Sequence, residues 1–157
     1  MARRSAGILL HRAGPASGLE VLLVHPGGPF WARRDAGAWS LPKGEVGEDE
    51  DPLACALREL EEELGERPAL GELLDLGEVR QKGGKVVRAW AARGDFDPAR
   101  LRSGTFEMEW PPRSGRRRTF PEVDRAAWFT PDEAAAKLVA AQAAFVERLV
   151  ERVGARG

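Results

Sequence analysis

Residues 44–66, GEVGEDEDPLACALRELEEELGE, decide the fold of this chain. The leucines at positions 53, 57, 60 and 64 are spaced by four, three and four residues, which places them on one stripe of an α-helix. Asp51 is a favourable N-cap, Pro52 suits the first helical position, and Gly65 can end the helix. We therefore predict a helix from about Asp51 to Leu64 whose leucine face packs on a core.

The same helix carries three carboxylates on another face. Glu59, Glu62 and Glu63 share a stripe that lies roughly 140° from the leucines. Like charges at this spacing repel by about 0.2–0.5 kcal/mol per pair, and a hard divalent cation would reverse that cost. A solvated acidic face with local ion pairs, such as Arg58 with Glu62, is the alternative interpretation. The helix alone leaves both open.

The spacing around the helix favours the metal interpretation. Gly44 is followed by five residues and Glu50, then by seven residues and the run RELEEELG at residues 58–65. This resembles the Nudix box, G-x5-E-x7-R-E-U-x-E-E-x-G-U, where U is apolar. Eight positions match, and Glu66 departs from the final apolar position. The resemblance implies an α+β Nudix fold, a mixed β-sheet sandwiched between α-helices, in a single domain over residues 1–157.

The resemblance also implies roles for the box residues. Glu59, Glu62 and Glu63, with the backbone carbonyl of Lys43, would bind magnesium, with manganese as the alternative ion. Arg58 would hold a glutamate in place, Glu50 would brace the loop, and Gly44 and Gly65 would be structural positions.

A further acid is expected outside the box. The segment PEVDRAAWF at residues 121–129 resembles the family's stretch in which a glutamate precedes a strand, so Glu122 would complete the metal site or act as the base. Glu59 is the other candidate for the base. A solvent-facing acid is the alternative for Glu122, and Glu107 and Glu109 are competitors for its role.

Substrate-binding residues are predicted mainly from the segment before the box. WSLPKG at residues 39–44 resembles the lead-in of the diadenosine tetraphosphate hydrolase branch, where Lys43 would face a phosphate. Trp31 and Trp39 are candidate platforms for a nucleobase, and Arg88 could contact a phosphate. Trp90 and Trp110 are further candidates, and a core position is the alternative for each tryptophan. The Arg116–Arg118 run is either a solvated charge run or a phosphate clamp, whereas His11 and His25 are too isolated to indicate a metal or acid–base site.

Composition restricts the remaining possibilities. The chain has 157 residues and a net charge of −1, so it is not a strongly basic nucleic-acid binder. Cys55 is the single cysteine and is predicted to be buried. No apolar run is long enough to span a membrane. We expect a cytoplasmic monomer or homodimer that acts on a small nucleotide, with no nucleic-acid or membrane partner.

Other elements follow from local patterns. Strands are predicted at residues 6–11, 19–25, 70–79, 85–92 and 126–129, and helices at 132–139 and 141–153. Residues 12–18 form a turn-rich linker, 26–37 a loop, 38–42 an extended stretch, and 94–121 a long excursion, while Lys43 and Gly44 open a further loop.

Three functional hypotheses result. The first is magnesium-dependent hydrolysis of a dinucleoside polyphosphate, in which one phosphoanhydride bond is cleaved asymmetrically. The second is a house-cleaning (d)NTP pyrophosphohydrolase of the MutT type, with ADP-ribose cleavage a weaker option. The third is a catalytically silent nucleotide-binding module, which the complete set of box glutamates disfavours.

Overall fold

A computed structural model describes residues 3–15 and 18–154 of the chain. The start of the chain at Met1 and Ala2 and the middle of the predicted linker lie outside the described residues. The strands are β1 (Arg4–Ala13), β2 (Leu19–Pro26), β3 (Lys43–Glu45), β4 (Leu73–Arg80), β5 (Val86–Arg93), β6 (Thr105–Glu109), β7 (Arg117–Pro121) and β8 (Val123–Phe129). The helices are α1 (Pro52–Leu64), α2 (Pro131–Lys137) and α3 (Ala143–Val153), with short 3-10 helices at Pro98–Arg100 and Ala140–Gln142.

Six strands form one mixed sheet in the order β4-β5-β1-β2-β8, with β3 paired to β1. The central pair, β1 and β5, is parallel, and the other pairs are antiparallel. One edge of β1 is shared by two partners, since its first half pairs with β3 and its second half with β2. This arrangement brings the segment before α1 to the middle of the sheet.

Alternating side chains on β1 divide the core into two layers. Ile8 and Leu10 lie on the face covered by α1, and Leu9 lies on the face covered by α2 and α3. Successive side chains of a strand point to opposite faces, so both faces must be apolar for a sheet covered on both sides. The predicted α+β fold, a mixed sheet between helices, is confirmed.

Helix α1 begins and ends as its sequence predicts. The Asp51 carboxylate accepts a hydrogen bond from the Ala54 N–H at 3.0 Å, and Pro52 is the first helical residue. Gly65 ends the helix with a left-handed φ of 89°. Leu60, Leu64 and Cys55 are fully buried against the sheet. The carboxylate face of α1 is thereby directed away from the core.

Two loop predictions are wrong. Lys43–Glu45 forms β3 instead of opening a loop, because the free edge of β1 offers backbone partners to a segment with no apolar pattern of its own. The predicted excursion at 94–121 contains the β6–β7 hairpin, in which Phe106 pairs with Phe120. No helix within the described residues is long and apolar enough to cross a membrane.

Candidate functional site

Glutamates from α1 and from the segment before β8 line one cleft of about 510 Å³, which we call the carboxylate cleft. Helix α1 places Glu59, Glu62 and Glu63 there, and Glu122 lies between the end of β7 and the start of β8. The other lining residues are Lys43, Gly44, Glu45, Gly104 and Thr105. Residues that lie far apart in the sequence are therefore brought together where α1, β3 and the start of β8 meet.

Gly44 makes room for one of these carboxylates. A Cβ atom built at Gly44 would lie 2.0–2.4 Å from the carboxylate atoms of Glu59, a distance that no pair of non-bonded atoms tolerates. The absence of a side chain at Gly44 is therefore what allows the Glu59 carboxylate to lie against β3.

Arg58 holds the acidic face together. Its guanidinium donates to the Glu50 carboxylate at 2.9 and 3.0 Å, to Glu59 at 3.0 Å and to Glu62 at 3.2 Å. Glu50 also accepts a hydrogen bond from the Gly47 N–H at 2.9 Å. The bonds from Arg58 and Gly47 lower the pKa of Glu50 to about 2. A permanently charged brace thus connects the box loop to the helix.

The two more deeply placed glutamates have raised pKa values. Burial raises the pKa of Glu63 to about 8, and repulsion from Glu59 and Glu122 adds to this, while Lys43 opposes it. Burial and the charge of Glu62 raise the pKa of Glu59 against the opposing effect of Arg58. Desolvated carboxylates that repel each other favour any cation that can enter between them.

Within residues 3–15 and 18–154, no three His, Cys, Asp or Glu side chains are arranged to hold a metal ion. In this structure the carboxylates of Glu59 and Glu62 accept hydrogen bonds from Arg58. The donor set of the cleft still fits magnesium, which prefers carboxylate and carbonyl oxygens.

A second cleft, of about 370 Å³, adjoins the first and is called the apolar cleft. Lys43, Glu63 and Glu122 line both clefts. The other lining residues are Val24, Pro26, Trp31, Ala38, Ser40, Leu41, Gln81, Val123, Val139 and Gln142. Its size and its mostly apolar walls suit a planar organic group next to the carboxylates.

Burial and the neighbouring charge of Lys85 lower the pKa of Lys43 to about 8. Lys43 lines both clefts, and the charges of Lys85 and Glu63 have opposite effects on its pKa.

The family model described as the NUDIX domain matches residues 1–149. The chain belongs to the Nudix family. The carboxylate cleft is thus built around the Nudix box, residues 44–66, and every glutamate of the box pattern is present.

Individual relatives and structures agree with this. Over 109 residues the chain is 35% identical to an 8-oxo-(d)GTP phosphatase of Mycolicibacterium smegmatis, covering 60% of this chain and 31% of the relative. Over 44 residues it is 52% identical to an RNA pyrophosphohydrolase of Roseobacter denitrificans, covering 27% of this chain and 28% of the relative. The matched segments span less than a third of either relative. A C. elegans Ap4A hydrolase binary complex has the same fold, with a TM-score of 0.68, 19% identity and coverage of 95% of this chain and 97% of that one.

Two residues predicted to bind substrate in this Nudix chain are placed elsewhere. Trp39 is only 4% exposed and packs edge-on against His25 and Phe129, so the interpretation as a stacking platform is wrong. Arg88 donates to Asp75 at 2.7 Å and lies over the Trp90 ring, outside both clefts. The ion pair was the alternative at this position, and the phosphate contact is not supported.

Of the other candidate tryptophans and acids, some line a cleft and others do not. Trp31 is 39% exposed and lines the apolar cleft, whereas Trp90 is buried. Trp110 packs edge-on against Phe30. Glu107 lies beside Arg117 at 3.6 Å, and Glu109 accepts backbone N–H groups of the hairpin turn, so neither competes with Glu122 in the cleft.

Two buried polar residues were missed as contributors to the site. The Gln142 amide accepts from the Leu41 N–H at 3.1 Å and donates to Gln81 at 2.9 Å. His25 is fully buried between the Asp124 carboxylate at 2.8 Å and the Arg34 carbonyl at 2.6 Å, so it fixes the loop that carries Trp31. An amide within an alanine-rich segment was the only sequence signal for Gln142.

Proposed function

We propose that this chain hydrolyses a phosphoanhydride bond of a nucleotide with a divalent cation, and that a dinucleoside polyphosphate cleaved asymmetrically is its preferred substrate. The observation that carries the proposal is that Glu59, Glu63 and Glu122 line one cleft together with Lys43. Polyphosphate hydrolysis needs negative groups to hold a metal and a positive group to meet the substrate, and this cleft contains both.

The metal would be held by Glu59, Glu62, Glu63 and Glu122, with the Lys43 carbonyl as a further ligand, and magnesium or manganese would fit these oxygen donors. The raised pKa values of Glu59 and Glu63 support this, because a cation would relieve the repulsion that contributes to them. When bound, the ion neutralises phosphate oxygens and makes water more acidic.

Side chains of the protein would orient the metal ligands, accept the proton and bind the substrate. Arg58 keeps the carboxylates of Glu59 and Glu62 oriented through charged hydrogen bonds. Glu59 or Glu122 would take the proton of the attacking water. Lys43 would place its ammonium against a phosphate oxygen, since it lines both clefts. The nucleoside would enter the apolar cleft, where the half-exposed Trp31 offers a stacking face.

A (d)NTP pyrophosphohydrolase is the second candidate. Its support is the 35% identity to an 8-oxo-(d)GTP phosphatase, together with an apolar cleft of about 370 Å³ for a nucleoside. The dinucleoside polyphosphate is preferred because the segment at residues 39–44 resembles the lead-in of diadenosine tetraphosphate hydrolases.

Product identification on a nucleotide panel with magnesium tests the proposal. Release of ATP and AMP from diadenosine tetraphosphate is the expected result. If only a (d)NTP is cleaved, to pyrophosphate and a monophosphate, the second candidate is established. Turnover that continues in EDTA would contradict the proposed requirement for a divalent cation.

Two substitutions on α1 test the site itself. We expect Glu63→Gln to lower kcat by at least about a hundredfold, because it removes a proposed ligand. Glu61→Gln is the matched control, since Glu61 is exposed on the same helix and lies 3.8 Å from Arg67. Equal activities of the two variants would show that the assignment is wrong.

A further inference from the structure

A basic cleft lies at the turn between β4 and β5, outside the site described above. Its volume is about 500 Å³, and its lining residues are Arg3, Arg80, Gln81, Lys82, Gly83, Gly84 and Lys85. Four of these side chains are cations and none is an acid. Because a concave surface focuses the field of its charges, such a cleft concentrates anions from solution.

The four cations of the basic cleft have no acidic partner in an ion pair among the described residues. In the part of the chain that the structure describes, no ion pair includes Arg3, Arg80, Lys82 or Lys85. By contrast, Arg4 at the same end of β1 pairs with Glu78 at 2.8 Å. Four clustered positive charges repel each other, so a bound anion would stabilise this region.

The turn gives the cleft a defined shape. The Gln81 N–H donates to the Lys85 carbonyl at 2.7 Å, and the Gly84 N–H donates to the Gln81 carbonyl at 3.0 Å. The Arg80 guanidinium donates to the Gly84 carbonyl at 3.3 Å and is therefore held beside the turn. Gly83 has a φ of 92°, a backbone conformation that residues with a Cβ atom rarely adopt, so glycine allows the chain to turn tightly at this position.

The basic cleft is continuous with the proposed active site. Gln81 lines both the basic cleft and the apolar cleft. Lys85 lines the basic cleft and lies close enough to Lys43 for their side chains to interact, and Lys43 in turn lines the carboxylate cleft. Positive side chains thus lead from the carboxylates, through Lys43 and Lys85, to Arg3, Arg80 and Lys82.

We propose that Arg3, Arg80 and Lys82 bind the distal phosphate groups of a long oligophosphate chain while its scissile bond lies in the carboxylate cleft. This deepens the proposed function and rests on it. A dinucleoside polyphosphate has phosphates beyond the cleaved bond that can reach the basic cleft, whereas a nucleoside triphosphate has fewer. The basic cleft would therefore select for chain length.

The binding of inorganic tripolyphosphate tests the basic cleft. EDTA is present, so that neither a metal ion nor turnover contributes to the measurement. The test variant combines Arg3→Ala, Arg80→Ala and Lys82→Ala. The matched control combines Arg67→Ala, Arg100→Ala and Arg152→Ala, which removes the same charge from exposed positions elsewhere. By calorimetry, we expect the test variant to bind tripolyphosphate at least about tenfold more weakly than the wild type, because charged hydrogen bonds are lost. The control should bind like the wild type.

Three results would overturn the inference: a wild type that does not bind tripolyphosphate, a test variant that binds it as well as the wild type, or a control that loses as much affinity as the test variant. Thermal unfolding of all three proteins establishes that they are equally folded.

Steady-state kinetics then separate this inference from the proposed function. On diadenosine pentaphosphate the test variant should show a raised KM and an unchanged kcat, with little change of KM on dGTP. An equal rise of KM on both substrates would contradict selection for chain length. If the wild type hydrolyses neither substrate, the proposed function fails, while the tripolyphosphate titration still decides whether the cleft binds phosphate groups.

Discussion

At the residue scale, glutamates of one short motif have opposite electrostatic environments. Glu50 accepts from Arg58 and Gly47 and has a lowered pKa, whereas Glu63 is desolvated and has a raised one. The spacing of the box was enough to select these residues. It could not predict their pKa values, because those depend on burial and on Lys43 and Glu122, which the fold brings close.

Glu50 should make the free energy of unfolding decrease as the pH falls in the acidic range. Its pKa in the folded state is about 2, below the ordinary value of 4.5, because Arg58 and Gly47 bind the charged form. The stabilisation is therefore complete above pH 4.5 and is lost as the pH falls toward 2. We expect the difference in free energy of unfolding between wild type and Glu50→Gln to shrink between pH 6 and pH 3 in urea titrations. A difference that stays constant over this range would contradict the ion pair.

Cys55 should be unreactive in the folded protein. Burial raises the pKa of its thiol to about 11, and its Sγ lies 3.4 Å from the Glu45 carbonyl. Because the thiolate is the reactive form, we expect no reaction with DTNB at pH 8 until the protein is unfolded in guanidinium, when one thiol per chain should react. Rapid labelling of the native protein would show that α1 does not cover this position.

At the scale of elements, α1 was predictable and β3 was not. The ends of α1 are determined locally by Asp51, Pro52 and Gly65, whose preferences act over a few residues. Lys43–Glu45 has no such local signal and becomes a strand because the edge of β1 is available. The β6–β7 hairpin was missed for a different reason, since its strands lie within a segment rich in glycine, proline and charged residues, a composition that predicts a loop.

Gly65→Ala should weaken the end of α1. Gly65 has a left-handed φ of 89°, and a Cβ there would lie 2.5 Å from the Arg102 carbonyl oxygen. We expect a loss of about 1–3 kcal/mol in the free energy of unfolding, from torsional strain and the displaced neighbour. Gly115→Ala is the control, because its φ of 73° has a similar torsional cost with open space around it. Equal losses in the two variants would rule out the contribution of the contact.

At the scale of the whole molecule, long-range polar contacts fix the walls of the clefts. Gln142 connects the segment before α3 to Leu41 and to Gln81. His25 connects β2 to Asp124 on β8 and to the loop at Arg34. The apolar cleft therefore depends on elements from both ends of the chain.

Gln142→Ala should disturb this arrangement. Gln142 is fully buried, and its removal leaves the Leu41 N–H without its hydrogen-bond acceptor. We expect a loss of about 1–3 kcal/mol in stability, measured by urea unfolding. Hydrogen exchange at the Leu41 amide should become faster than in the wild type. Unchanged exchange at Leu41 would mean that this contact does not protect the cleft wall.

The family, the α1 helix with its carboxylates and the apolar strand segments of the core could all be inferred from the sequence, because these depend on short-range spacing and composition. The burial of Trp39, the ion pair between Arg88 and Asp75, and the proximity of Lys85 to Lys43 became apparent only in the folded structure. Such facts arise from strand order and register, which bring distant residues together through backbone pairing. No local pattern encodes them.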